Sequence, residues 1–258
     1  MAERRISFFS IVLIMALLCV TIYASGEAIY RNQAVAQART VADMVENIGK
    51  WASTFGGMWI KNNKGKELDL GSHLDTMIVT PSIANSSEIS SSEADEIIQF
   101  HLKNPALIQR EISDFTEKSS STTKFRITSD KFMNPKNAPT GFETTAMNEI
   151  RKNNSKEFYT ISDGQLRYAR ALVATEACMR CHDTPAKAPA SVRDLYPNQG
   201  YGYEVGKVSG VISVTVPYTF SLIELIKDLS LWFWLAVSAL VVTILSLSRK
   251  KTAEHLND

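Results

Sequence analysis

Two uncharged apolar runs constrain how this chain can fold. Ile6–Ala24 reads ISFFSIVLIMALLCVTIYA and Leu229–Leu247 reads LSLWFWLAVSALVVTILSL. As helices each would reach roughly 28 Å, close to the hydrocarbon thickness of a bilayer. Arg4 and Arg5 precede the first run, and Arg249, Lys250 and Lys251 follow the second. Positive charge beyond both outer ends predicts cytoplasmic termini and an exported segment between them. Trp232 and Trp234 sit near the outer end of the second run, where interfacial aromatics collect. A cleaved signal peptide is the rival reading of the first run. Ala24-Ser25-Gly26 is a poor cleavage site, however, and the run is long for a signal core. The expected layout is a cytoplasmic N-terminus (1–5), a membrane helix (6–24), an exported domain (25–228), a second membrane helix (229–247) and a cytoplasmic tail (248–258). In a bacterium this is a two-pass inner-membrane protein, in contact with lipid, whose main domain lies in the periplasm.

Composition adds a few exclusions. The 258 residues carry a net charge of +1, so no clustered basic face calls for nucleic acid. Three cysteines cannot make a disulfide scaffold, and Cys19 lies inside the first apolar run as a small packing residue.

The exported segment opens helically. From Glu27 to about Phe55, Val41, Val45, Ile48 and Ala52 recur at helical spacing, and Gly56-Gly57 ends the pattern. Asn62–Gly65 predicts a turn, and Ser82–Ser92 is a polar serine-rich tract. Ser92 with Asp95 resembles a capping box opening a helix over EADEIIQFHL. Asn104-Pro105 predicts an N-cap and first-turn proline for PALIQREISDF, with Leu107, Ile108, Ile112 and Phe115 on one face. The second half then changes period. Lys124–Ser129, Glu157–Ser162, Leu166–Ala174 and Ser209–Pro217 read as strands, the last with Ile212, Val214 and Val216 alternating with Ser213 and Thr215. Ser162-Asp163-Gly164 predicts a hairpin turn. Helices first and strands later, joined by short connections, predict an α+β fold with a mostly antiparallel sheet.

Within the exported part stands CMRCH: Cys178, Cys181 and His182. Outside a membrane, Cys-x-x-Cys-His is the attachment site of c-type haem. Two thioether bonds anchor the macrocycle, and the next residue is held where its imidazole reaches the iron. Cys178 and Cys181 are the predicted anchors of one covalent haem, and His182 is the proximal metal ligand. A thiol redox pair would open a helix in a βαβ context. A zinc site needs further ligands, and only His73 and His101 remain, far upstream. A structural disulfide has no use for His182. For the sixth iron position the exported candidates are Met44, Met58, Met77, Met133, Met147, His73 and His101, since Met179 lies inside the attachment loop and His255 on the wrong side of the membrane. Met58 leads, because its glycine neighbours allow close approach to a flat macrocycle.

Taken in order, WASTFGGMWI, KNPALIQREISD, FRITSDKFMNPKNAPTGFE, CMRCH and YPNQGYGYEVGKVSGVISVTVP resemble the periplasmic PAS-like haem-c sensor domain of bacterial sensor kinases, diguanylate cyclases and chemotaxis receptors. The resemblance covers roughly Arg31 to Pro217. It implies a PAS-like sheet holding one covalent haem, a long N-terminal helix, and dimerisation through helices. It also implies that Met58 lies in the region supplying the distal ligand, and that Arg126 and Tyr168 lie on strands where they could meet the haem propionates. Such sensors continue into a signalling module, whereas only SRKKTAEHLND follows the second apolar run here. The chain is therefore a fragment, signals through a cytoplasmic partner, or is not a transmitter. Two functions follow as expectations: a redox or diatomic-gas sensor, or a membrane-anchored electron-transfer cytochrome or respiratory-complex subunit. An enzyme is not expected, because the exported histidines offer no distal acid–base pair.

Overall fold

The first apolar run and the helical pattern after it join into one helix, α1 (Phe8–Thr54). The computed structural model describes residues 8–61, 74–79 and 98–254. Gly56 and Gly57 stop α1 with φ of 70° and 117°, a region L side chains avoid. The chain divides into two compact units, Met1–Arg31 with Thr219–Asp258, and Asn32–Tyr218.

In the first unit, α6 (Leu222–Asp228) and α7 (Leu231–Glu254) follow Phe220, whose ring meets those of Tyr23 and Tyr30 edge-on at 5.2 and 5.4 Å. Among the described residues, one helix, within α1, is long and apolar enough to cross a membrane. Among the described residues, the second apolar run meets that test when Leu222–Asp228 and Leu231–Thr243 count together across a 97° bend.

The second unit is α+β. Its smaller sheet holds β1 (Met58–Lys61), β2 (Asp75–Val79) and β3 (Ile98–Lys103) in the antiparallel order β1-β3-β2. After α2 (Pro105–Lys118), β4 (Lys124–Thr128) leads into a 3₁₀ turn at Pro135–Asn137 and α3 (Gly141–Asn153). Next come β5 (Glu157–Ser162), β6 (Gln165–Val173), the short helices α4 (Glu176–His182) and α5 (Ala190–Leu195), and β7 (Val208–Pro217). The larger sheet is antiparallel throughout, in the order β4-β7-β6-β5.

The alternation in β7 decides what covers this sheet. Ile212, Val214 and Val216 join Leu166 and Tyr168 on one face, under Ala34, Val35, Ala38, Ala42 and Val45 of α1. Ala34, Ala38 and Ala42 recur every fourth residue, so α1 packs on the sheet through a seam of small side chains. Val211 and Ala169 face the other way, under Ala146, Met147 and Ile150 of α3. At the β5–β6 hairpin, Asp163 and Gly164 have φ of 53° and 69°, both positive as a type I′ turn requires.

Two expectations need correction. Of EADEIIQFHL, the described residues Ile98–Leu102 lie in strand β3, not a helix, because both edges of that strand are taken by antiparallel partners, β1 and β2. In α2, Asn104 caps the helix as expected, accepting from the Leu107 amide at 2.8 Å, but Phe115 is 77% exposed. The buried residue there is Gln109, which donates to the Val45 carbonyl at 2.7 Å. Asn62–Gly65, Ser82–Ser92 and the Ser92–Asp95 box lie outside the described residues.

Candidate functional site

β6 delivers the chain to CMRCH. Thr175 is the N-cap of α4, and its backbone N and hydroxyl each lie 3.4 Å from the Cys178 Sγ. Because α4 is helical, positions 178, 181 and 182 stand at i, i+3 and i+4 and share one flank. The two thiols are not joined, and both are half-buried. Burial pushes the Cys181 thiol up from its ordinary value, so it stays protonated at neutral pH.

His182 is fixed from behind. Its Nδ1 lies 2.6 Å from the Gly200 carbonyl oxygen, which can only accept, so Nδ1 carries the proton and Nε2 the lone pair. Nε2 has no hydrogen-bond partner among the described residues. Burial lowers the His182 pKa, with the Gly200 bond opposing, and the neutral ring is favoured. The Tyr203 ring stacks on the imidazole, centroids 4.2 Å apart and planes within 14°. Tyr203 is held by its own bonds: its amide donates to the His182 carbonyl at 3.0 Å and its hydroxyl to the Ser129 Oγ at 3.0 Å. Gly202 N donates to the Asp183 carbonyl at 2.8 Å, closing the loop onto the end of α4.

A neutral imidazole with a fixed tautomer and an open Nε2 can bind a metal, and the bond that orients it is already made. Among the described residues no three His, Cys, Asp or Glu side chains gather to cage a metal ion. Two thiols and one imidazole on a single helical flank can hold a prosthetic group by its edges and ligate its metal at the same time.

The structure brings Cys178, Cys181 and His182 together on α4, and the other candidates stand on other elements. Met58 is half-buried at the start of β1, opposite Lys103 in the smaller sheet. Arg126 and Tyr168 stand on opposite faces of the larger sheet, since they pair with the alternating neighbours Ser213 and Val214. Arg126 donates to the Lys136 and Ala138 carbonyls at 3.1 and 2.7 Å and lies 3.7 Å from the Glu143 carboxylate. Tyr168 is fully buried and donates to Glu157 at 2.7 Å, while burial pushes its pKa up to about 12. Met147 fills the core under α3, Met44 and Met77 are exposed, and His101 lies 3.2 Å from the Thr76 hydroxyl. Met133 backs Gly200, on the Nδ1 side of His182. His73 is outside the described residues.

Gly200 and Tyr203 are site residues that motif reading passes over. Their signal is the glycine-rich run NQGYGYEVG, whose Gly200, Gly202 and Gly206 all have positive φ.

The family described as Tll0287-like matches residues 27–217. The crystal structure of the cyanobacterial heme-protein Tll0287 aligns with 46% of this chain and 75% of its own, at 23% identity and a TM-score of 0.41. No curated protein matches the chain.

Proposed function

This chain belongs to the Tll0287-like family, and on that premise we propose that it is a membrane-anchored c-type cytochrome carrying one covalent haem and acting as a redox or gas sensor. The proposal places its PAS-like domain in the periplasm of a bacterium, between two spans of the inner membrane. The solved protein that shares the family's name is a heme-protein. The observation that carries the reading is the His182 ring, with Nδ1–H given to the Gly200 carbonyl and Nε2 left open on the same helical flank as two unjoined thiols.

In this reading Cys178 and Cys181 hold the haem through thioether bonds and His182 ligates its iron through Nε2. Gly200 and Tyr203 are positioning residues: one fixes the tautomer, the other the plane of the ring. The bound haem supplies a redox-active iron able to exchange its sixth ligand. Burial around His182 keeps the imidazole neutral and available to ligate. Met58 is the proposed sixth ligand, and signalling passes through a homodimer to a cytoplasmic partner.

Optical titration of the detergent-solubilised full chain, ferric and ferrous, with and without CO and NO, tests the sensor. A ferrous form that takes up gas, with Met58→Ala already five-coordinate before gas is added, is the expected result. A six-coordinate spectrum that neither gas changes overturns the gas sensor and favours the electron-transfer cytochrome.

A further inference from the structure

A cleft of about 550 Å³ lies on the larger sheet beside α2 and α3, away from CMRCH. None of the residues from Glu176 to Tyr203 lines it. Its β6 residues are Gln165 and Arg167, and the nearer, Arg167, is six positions before the end of that strand, roughly 20 Å along the sheet from where the chain turns into α4.

The cleft is lined by five basic side chains against three acidic ones, and the bonding among them is uneven. Arg126 is engaged with two carbonyls and with Glu143. Lys124 donates to the Thr116, Glu117 and Ser119 carbonyls, closing the C-terminal end of α2. Arg110 and Arg167 have no such partners among the described residues. The Arg110 Nε and Nη1 are shut away from solvent and make no hydrogen bond among the described residues. Leaving a buried cationic donor unmatched is costly, and a folded chain keeps one where something else matches it. Phe142 of α3 adds an apolar ring to the lining, whereas the side chains of Phe125 and Ile127 pack on the α1 side of the sheet.

We propose that this cleft is a second ligand site, taking a small organic carboxylate between the Arg110 and Arg167 guanidiniums. The Arg167 fork fits a planar carboxylate through two parallel hydrogen bonds, with the Arg110 guanidinium beside it as a second cation, and the Phe142 ring suits an organic body. Exposed Asp114 and Glu117 at the lining disfavour a denser anion such as phosphate or sulfate. The proposal does not depend on the haem reading, since it uses no residue of CMRCH.

Thermal unfolding of the detergent-solubilised full chain, in acetate, succinate or benzoate against chloride at equal ionic strength, tests it. At least one carboxylate raises Tm by several degrees over chloride, as mass action on a native-state site requires. Arg167→Ala and Arg110→Met each abolish that rise. Arg110→Met, which keeps the apolar stem, also raises Tm in chloride alone by removing the unmatched donor. The assignment is overturned by no rise over chloride, by an equal rise with sulfate, or by a rise that survives both substitutions. It is equally overturned if Arg167→Ala shifts the haem absorbance while no carboxylate stabilises the wild type, which would give these guanidiniums to the haem propionates.

Discussion

A backbone oxygen decides which nitrogen of His182 faces outward, and the residue supplying it has little freedom to change. Gly200 sits at φ +86°, and a Cβ there would stand 2.7 Å from the Met133 Cα. Left-handed backbone alone costs a side-chain-bearing residue about 1–2 kcal/mol, before any displacement of Met133. Gly200→Ala should therefore lower the midpoint of urea unfolding and broaden the ferric absorbance as the Nδ1 anchor shifts. An unchanged midpoint would mean the loop relaxes without strain. Tyr203→Phe separates two roles of one side chain. It keeps the stack on His182 and loses the hydroxyl bond to Ser129, a loss of about 1 kcal/mol in unfolding free energy with the spectrum unchanged. At this scale CMRCH is legible because its spacing is itself the chemistry. Gly200 and Tyr203 are not, because they act through contacts made 18 and 21 positions further along the chain.

The seam between α1 and the larger sheet depends on small side chains where the helix backbone comes close. Ala38 and Ala42 are fully buried against the face carrying Tyr168 and Val214. Ala38→Leu should cost about 1–3 kcal/mol by overpacking, read as a lower urea midpoint at an unchanged m-value. A neutral result would mean the face holds room that the burial of Ala38 denies. The strands of this sheet are legible because β7 alternates cleanly between two covered faces and the hairpin carries its own turn signal at Asp163-Gly164. β3 carries the same alternation, with Ile98, Phe100 and Leu102 set between Gln99, His101 and Lys103, but the capping-box signal at Ser92–Asp95 points to a helix and masks that period. In α2, periodicity marked Phe115 as inward, yet the side packed against α1 is the one bearing Gln109, whose amide answers the Val45 carbonyl. Hydrophobic spacing does not register a buried polar residue that brings its own partner.

Across the Asn32–Tyr218 unit, ion pairs tie α1 to the sheet edge and give the whole fold an acid dependence. Arg39 donates to Glu157 through Nε at 3.0 Å, and Arg170 reaches Asp43 at 2.6 Å. Bonding from Arg39, against burial and with help from Tyr168, holds the Glu157 carboxyl below its ordinary 4.5. Arg151 likewise lowers Asp130. A carboxylate whose folded pKa is depressed stabilises fully above its unfolded value and loses that contribution as pH falls through the folded one. Stability should thus fall as the pH drops below about 5, and Arg39→Ala should be less stable at pH 7 but flatter on the acid side. Parallel curves for wild type and variant would remove Glu157 from the account. The long first helix and the strands of the larger sheet were legible from periodicity, whereas α3, which covers the sheet's other face, and these pairs, 118 and 127 positions apart, were visible only once folded. For the function, the most direct measurement is the intact mass of the chain after maturation in a host that exports and ligates haem. The account predicts the mass of the chain plus one haem, lost when Cys178 and Cys181 are both replaced by alanine and retained in His182→Ala. A bare-chain mass for the wild type would contradict it.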